Sequence, residues 1–280
     1  MAGFAEFIRH RKYFVCVSPA TLAWYEYCFR WISENPSQTD LQNAVIAMRE
    51  RGLKPTGINS AISCWNAYAH WLVFPETKCG PGCKHPKLSL LKEPQNALPT
   101  YSEQQIRRLV SHKPKKTELR THLIVSFLFD VGARISEVLT LRVSALDFDS
   151  LLVRLDGKGG KQRVVPFSAE LRKRLVRFVA DKPAEQLVFA TRDGKMLGRR
   201  NVLRNVKQLC RKLGFEPPAR TLHAARYSFA SYYLRRGGNA IALQRALGHA
   251  DLATTQRYCH LDVADLQAAH ERVSLLTPGR

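Results

Sequence analysis

The stretch LLVRLDGKGGKQRVVPF, residues 151–167, sets two short alternating or apolar runs on either side of Asp156, Gly157, Lys158, Gly159 and Gly160. Runs of this length around a glycine-rich turn predict a β-hairpin, and glycines let the turn approach a ligand closely. Everything around the hairpin has helical spacing. Before it, Ser102 stands as an N-cap ahead of EQQIRRLV, an apolar helix spans Leu119–Val131, and after Gly132 another runs from about Ile135 to Arg142. After it, helices are predicted over Ala169–Val179, Arg199–Leu213, Thr221–Arg236 and Asn239–Leu247, several closed by glycines 214, 237, 238 and 248. The expected fold is therefore mainly α with one small antiparallel β-sheet, an α+β architecture.

Further from the hairpin, residues 1–74 read as a separate helical domain. Pro19–Ser33 carries Leu22, Trp24, Tyr25, Phe29 and Trp31, Leu41–Arg51 ends at Gly52, and Gly57–Phe74 has Ile58, Ile62, Trp65, Ala69 and Leu72 at helical spacing. Between them and the second domain, 99–280, lies PETKCGPGCKHPKLSLLKEPQNALP, whose prolines and glycines defeat a long helix and mark 75–98 as a linker. Cys79, Cys83 and His85 within it are of metal-ligating type. They are only three, and their spacing matches no common zinc module, so exposed loop thiols are the expectation and no metal or cofactor is assigned.

The 280 residues carry 44 Lys and Arg against 23 Asp and Glu, a net charge of +21. An excess of this size points to a polyanionic partner, with a merely solubilising surface as the alternative. Only 11 of the basic and 7 of the acidic residues fall in 1–98, so most phosphate contacts are expected from the second domain. Seven scattered cysteines do not resemble a secreted disulfide framework. No apolar run approaches the roughly 18 residues that cross a bilayer, and MAGFAEFIRHRKYF has no signal-peptide core. A cytoplasmic, DNA-associated protein with no membrane partner is expected.

Six residues carry candidate chemistry. Arg134 follows Gly132 at a helix start, where a guanidinium and backbone N–H groups can face an anion; alternatively it pairs with Glu137 one turn on. His223 and Arg226 share a helix face, suited to gripping one phosphate, although helical His and Arg are often ordinary surface. Lys158 sits in the hairpin turn with Lys161 nearby. His249 belongs to ALGH, and Tyr258 follows it by nine residues in TTQRY.

In this order and spacing, GARISEVLTL, GKGGKQRVVP, HAARYSFA, ALGH and TTQRY resemble the blocks of the tyrosine recombinase (phage integrase) family, specifically its compact two-domain Xer-type and mobile-element integrases. The resemblance covers roughly 99–270. Ala224 and Ala225 replace the usual Asp and Leu, and Tyr227 and Ser228 the frequent His-Thr, changes at supporting positions. The resemblance implies a helical core-binding domain and an integrase-like catalytic domain. It implies that Tyr258 attacks DNA to give a 3′-phosphotyrosyl intermediate, that Arg134 and Arg226 neutralise the phosphate without a metal, and that His223 is the base or acid. Lys158, with Lys161 as fallback, would protonate the leaving 5′-oxygen, and His249 would bond the scissile phosphate. It further implies a homo-tetramer on double-stranded DNA recombination sites, strand exchange through a Holliday junction, and accessory DNA-binding proteins in some systems. The tail 261–276, apolar at Leu261, Val263, Leu266, Ala269, Val273 and Leu276, reads as an amphipathic helix that packs on a neighbouring protomer or on its own domain. Integration and excision, multimer resolution and transposition all fit. Two other functions compete: a non-cleaving DNA-binding protein on the same fold, and type IB topoisomerase-like relaxation.

Overall fold

The computed structural model describes residues 3–74, 85–93, 98–157 and 160–248. The chain divides into two compact units, Met1–Asn96 and Ala97–Arg280.

The first unit has helices α1 (Phe4–Tyr13), α2 (Pro19–Phe29), α3 (Gln38–Glu50) and α4 (Pro55–Val73). Prolines open α2 and α4, where a missing N–H costs nothing, and Ser37 caps α3 in a reciprocal box with Asp40. Its core is aromatic: Phe7 is fully buried and meets Tyr25, Phe29, Tyr68 and Trp71 edge-on. The helix α1 was not singled out by its sequence, because it buries only Phe7 and its apolar spacing is brief.

Residues 85–93 run along this unit, and three side-chain amides hold them. Asn59 donates to the carbonyl of Leu91 (2.9 Å) and accepts its N–H (2.7 Å). Asn66 does the same for Leu88 (2.8 and 2.9 Å), and Gln38 for Lys87 (3.0 and 2.9 Å). Each amide thus satisfies both polar groups of one backbone residue, as a neighbouring β-strand would. Leu88 and Leu91 pack against the aromatic core.

The second unit contains α5 (Glu103–Ser111), α6 (Leu119–Val131), α7 (Ile135–Leu139), β1 (Leu146–Asp147), β2 (Leu152–Asp156), β3 (Gln162–Pro166), α8 (Ala169–Val179), α9 (Arg199–Lys212), α10 (Thr221–Arg235) and α11 (Ala240–Leu247). Ser102 is the N-cap of α5. The apolar α6 is central, packed by α5, α8, α9 and α10. The strands form an antiparallel sheet in the order β1, β2, β3, with Val153 opposite Val165 and Leu155 opposite Arg163. The fold is mainly α with a small antiparallel sheet. One helix is shorter than expected: α7 stops at Leu139 rather than near Arg142, because Leu141 and Arg142 leave to pair with Val188 and Leu187. Among the described residues no helix is long and apolar enough to cross a membrane.

Gly132 ends α6 in the left-handed conformation (φ 66°), and a Cβ there would lie 2.2 Å from Cδ1 of Phe229 on α10. Conformation and clash act together, so Gly132→Ala is expected to destabilise the second unit by about 2–4 kcal/mol. Urea unfolding should show a lower midpoint for that unit and an unchanged one for the first.

Candidate active site

Arg226 lies on the buried face of α10, only 4% exposed. Its Nη1 donates to the carbonyl of Gly132 (2.8 Å) and its Nη2 to that of Leu247 (2.7 Å). The guanidinium therefore ties the end of α6 to the end of α11. Two residues beyond Gly132, Arg134 is the N-cap of α7. Its backbone N–H donates to Glu137 Oε2 (2.7 Å) and its Nη1 to Oε1 (2.9 Å).

Glu137 is 3% exposed and has a second arginine. Arg163 on β3 grips the carboxylate with Nη1 and Nη2 at 2.7 and 2.8 Å, while its Nε donates to the carbonyl of Ala246 (2.8 Å). Burial pushes the Glu137 carboxyl upward, but the hydrogen bonds from Arg163 and Arg134 outweigh it and hold the group below the usual carboxylate range. It stays ionised between two forks, which fixes the direction of both guanidiniums.

His223 stands one turn before Arg226, at the rim. Its Nε2 is 3.0 Å from Nη2 of Arg199, the first residue of α9. A guanidinium can only donate, so the imidazole accepts at Nε2 and is neutral, its proton on Nδ1. Burial lowers its proton affinity first, followed by the nearby charges of Arg199, Arg226, Arg220 and Arg134. Beside it Arg199, Leu203 and Lys207 of α9 face Arg220, His223 and Tyr227 across a groove of about 510 Å³. The outer side of α9 adds exposed Arg200 and Arg204. Such a rim, with almost no carboxylate, suits a polyanion.

The structure thus brings Arg134, His223 and Arg226 into one neighbourhood. Lys158, His249, Tyr258 and the tail 261–276 lie outside the described residues, as do Cys79 and Cys83. Two glycines flanking those positions do border the cluster. A Cβ on Gly157 would be 3.9 Å from Glu137 Oε1, and one on Gly248 would be 3.0 Å from Cδ of Arg163. Lys161, the alternative to Lys158, is exposed, and its carbonyl accepts from the N–H of Gly157 (2.8 Å).

Three members of the cluster were not selected from the sequence as site residues. Glu137 was weighed only as a partner for Arg134, although an acid set among Ile135, Val138 and Leu139 is a sign of a paired, buried charge. Arg163 shares its strand face with Val165, whereas Val164 points out and is 59% exposed. Reading β3 in strict alternation from Val165 would have turned Arg163 inward. Arg199 had no local signal, since only the fold sets the start of α9 beside α10.

Comparison with known proteins follows the same lines. The phage integrase family matches over residues 100–265. Tyrosine recombinase XerC of Xanthomonas campestris pv. campestris is 34% identical over 252 residues, covering 86% of this chain and 77% of that protein. Tyrosine recombinase XerA of Pyrococcus furiosus is 30% identical over 268 residues, covering 92% and 90%. Among solved structures, the Tn1549 transposon integrase in complex with transposon right end DNA aligns with a TM-score of 0.76 at 20% identity, covering 96% of this chain and 97% of that one. The XerH site-specific recombinase bound to difH substrate aligns with a TM-score of 0.64 at 18% identity, covering 89% and 75%. At these identities the structural likeness is one of fold.

Proposed function

The chain belongs to the phage integrase family, and on that premise we propose that Arg134, Lys158, His223, Arg226, His249 and Tyr258 carry out site-specific DNA recombination. The protein is a tyrosine recombinase, an enzyme that breaks and rejoins DNA strands at recombination sites. The observation that supports Arg134 and Arg226 in this assignment is the convergence of Arg134, Arg163 and Arg226 on one buried carboxylate and two helix ends.

Nucleophilic attack on a phosphodiester concentrates negative charge on the non-bridging oxygens, and guanidiniums already fixed in place stabilise that charge without reorganising. Arg226 and Arg134 supply it here. The phenolic oxygen of Tyr258 attacks phosphorus, forming the Tyr–O–P bond as the bond to the 5′-oxygen breaks. The phenol proton passes to neutral His223, whose Nε2 becomes available as Arg199 turns to the incoming phosphate. Lys158 gives a proton to the departing 5′-oxygen, and His249 bonds a phosphate oxygen. The products are a 3′-phosphotyrosine and a free 5′-hydroxyl. A 5′-hydroxyl of a partner strand then reverses the steps, so rejoining needs no nucleotide cofactor. In this reading four copies hold two duplexes and exchange strands through a Holliday junction, the protein is DNA-associated, and accessory DNA-binding proteins set its biological use.

The test starts from duplexes selected for binding out of a randomised pool and prepared as nicked suicide substrates. Denaturing electrophoresis should reveal a covalent protein–DNA adduct, and plasmids carrying two sites should undergo deletion or inversion. Binding without adduct would return the chain to a non-cleaving DNA-binding role. Relaxation without exchange would make it a topoisomerase.

Arg199 supplies a separate test. If His223 must be neutral to take the phenol proton, cleavage falls as pH drops through its proton affinity, which lies below the ordinary imidazole value in the free protein. Removing a neighbouring cation raises that affinity, so Arg199→Ala should move the acid limb of the pH profile to higher pH. Burial, the larger cause, remains, so the limb should not pass the ordinary value near 6.5. The second-order cleavage rate at sub-saturating DNA reads the free protein's groups. An unmoved limb would remove His223 as the base.

A further inference from the structure

We propose, on the reading that Arg134 binds the reacting phosphate, that Arg163 is a positioning residue for cleavage: it holds Arg134 in place through Glu137 and does not itself touch DNA. Arg134 opens α7, a helix of only five residues. A helix so short cannot fix its own start, because its few hydrogen bonds barely offset the cost of forming the first turn. Its direction comes from whatever Glu137, whose carboxylate caps the N–H of Arg134, is fastened to.

Both oxygens of Glu137 are engaged twice. Oε1 accepts from Nη1 of Arg134 (2.9 Å) and Nη1 of Arg163 (2.7 Å), and Oε2 from the backbone N–H of Arg134 (2.7 Å) and Nη2 of Arg163 (2.8 Å). With Arg134 alone, carboxylate and guanidinium would move together, since both stand on one turn. Arg163 reaches in from β3 and ties that turn to the sheet. Its Nε donates to the carbonyl of Ala246 (2.8 Å), a second anchor in the last turn of α11. Backbone closes on the same guanidinium from two further sides. A Cβ on Gly248 would lie 3.3 Å from Nε, and one on Gly157 would lie 3.8 Å from Nη1.

Exposure separates the two arginines. The side chain of Arg134 is 34% exposed and that of Arg163 only 11%. All three nitrogens of Arg163 donate inside the protein, so its contribution to the phosphate site is the direction it imposes on Arg134. Lysine in its place would keep the charge, but an ammonium on a flexible stem cannot hold two carboxylate oxygens and a carbonyl at once. Glu137 would then swing with Arg134, and displacing a catalytic group by about 1 Å can cost about 10²-fold in rate. A residue that merely neutralised a buried carboxylate would act differently, through the amount of folded protein.

The test is a double-mutant cycle of Arg163→Lys and Arg134→Lys in the full-length chain, read as single-turnover adduct formation at saturating nicked substrate. Arg163→Lys should slow the wild type about 10²-fold, and slow a chain already carrying Arg134→Lys by no more than about fivefold, because the group it positions is gone. Affinity for the same DNA, by gel shift, should change less than about threefold, since the charge is kept. A loss of folded protein lowers both backgrounds by one factor, so equal losses would overturn the proposal. So would a wild-type rate for Arg163→Lys, or an affinity loss as large as the rate loss, which would put Arg163 on the DNA. Glu137→Gln is the second variant. It keeps the shape of the linking side chain but turns an NH₂ toward a guanidinium that needs an acceptor, and it should show the same coupling to Arg134→Lys. Additive effects there would also overturn the proposal. Failure of the underlying reading has its own signature: a chain with Arg134→Lys that cleaves at the wild-type rate would remove Arg134 from the chemistry, and the role of Arg163 with it.

Discussion

Tyr258→Phe is expected to eliminate the covalent protein–DNA adduct while leaving binding to the recombination site intact. The substitution removes one oxygen and nothing else. On the proposed assignment the nucleophile has no substitute, because a neighbouring water attack would yield a hydrolysed strand and no protein linkage. Loss of a covalent nucleophile typically costs at least about 10⁵-fold in rate. Binding, by contrast, rests on many phosphate contacts made by a chain of net charge +21, and one hydroxyl changes it by no more than about tenfold. Adduct formation on a nicked substrate, read beside a gel-shift titration, separates the two. An adduct that persists in Tyr258→Phe would show that another residue attacks.

Arg226→Lys is expected to damage both chemistry and fold, a combination that distinguishes it from Arg134→Lys. In the wild type two N–H groups of Arg226 are committed to the carbonyls of Gly132 and Leu247, and this commitment aims the rest of the planar fork. An ammonium is a point charge on a flexible stem. It can satisfy one carbonyl and lose the phosphate, or the reverse. Cleavage should fall about 10³-fold, the scale for removing an aligned oxyanion donor. The stranded carbonyl, at a site only 4% exposed, should destabilise the second unit by about 1–3 kcal/mol. Arg134 is 34% exposed at its side chain, and its bond to Glu137 is backed by Arg163. Arg134→Lys should therefore slow cleavage comparably with little change in urea midpoint. Equal stability losses would contradict the separate roles assigned to the two arginines.

The hairpin and most helices were legible because local signals agree there: Ser102 caps where a hydroxyl is expected, and Gly132 and Gly248 stop helices where left-handed backbone is needed. The site was legible through its motif residues, and less so through their supports. Their neighbours mark Glu137 and Arg163 as inward-facing, but the two are 26 residues apart and nothing in their spacing pairs them. Arg199 meets His223 only after α9 and α10 are placed. Contacts of this kind belong to tertiary structure.

The carbonyls that hold the arginines have a consequence for how DNA is met. Leu247 and Ala246 are in the last turn of α11, and Gly132 caps α6, so these acceptors sit at the negative ends of two helix dipoles. Arg226 is therefore countered by peptide partial charges, which, unlike the Glu137 carboxylate shared by Arg134 and Arg163, carry no net charge to set against an approaching phosphate. The mutual repulsion of the guanidiniums is offset as the chain folds, before any DNA arrives. What the phosphate encounters is a field already assembled, in which one carboxylate stands against three guanidiniums and the net sign is positive.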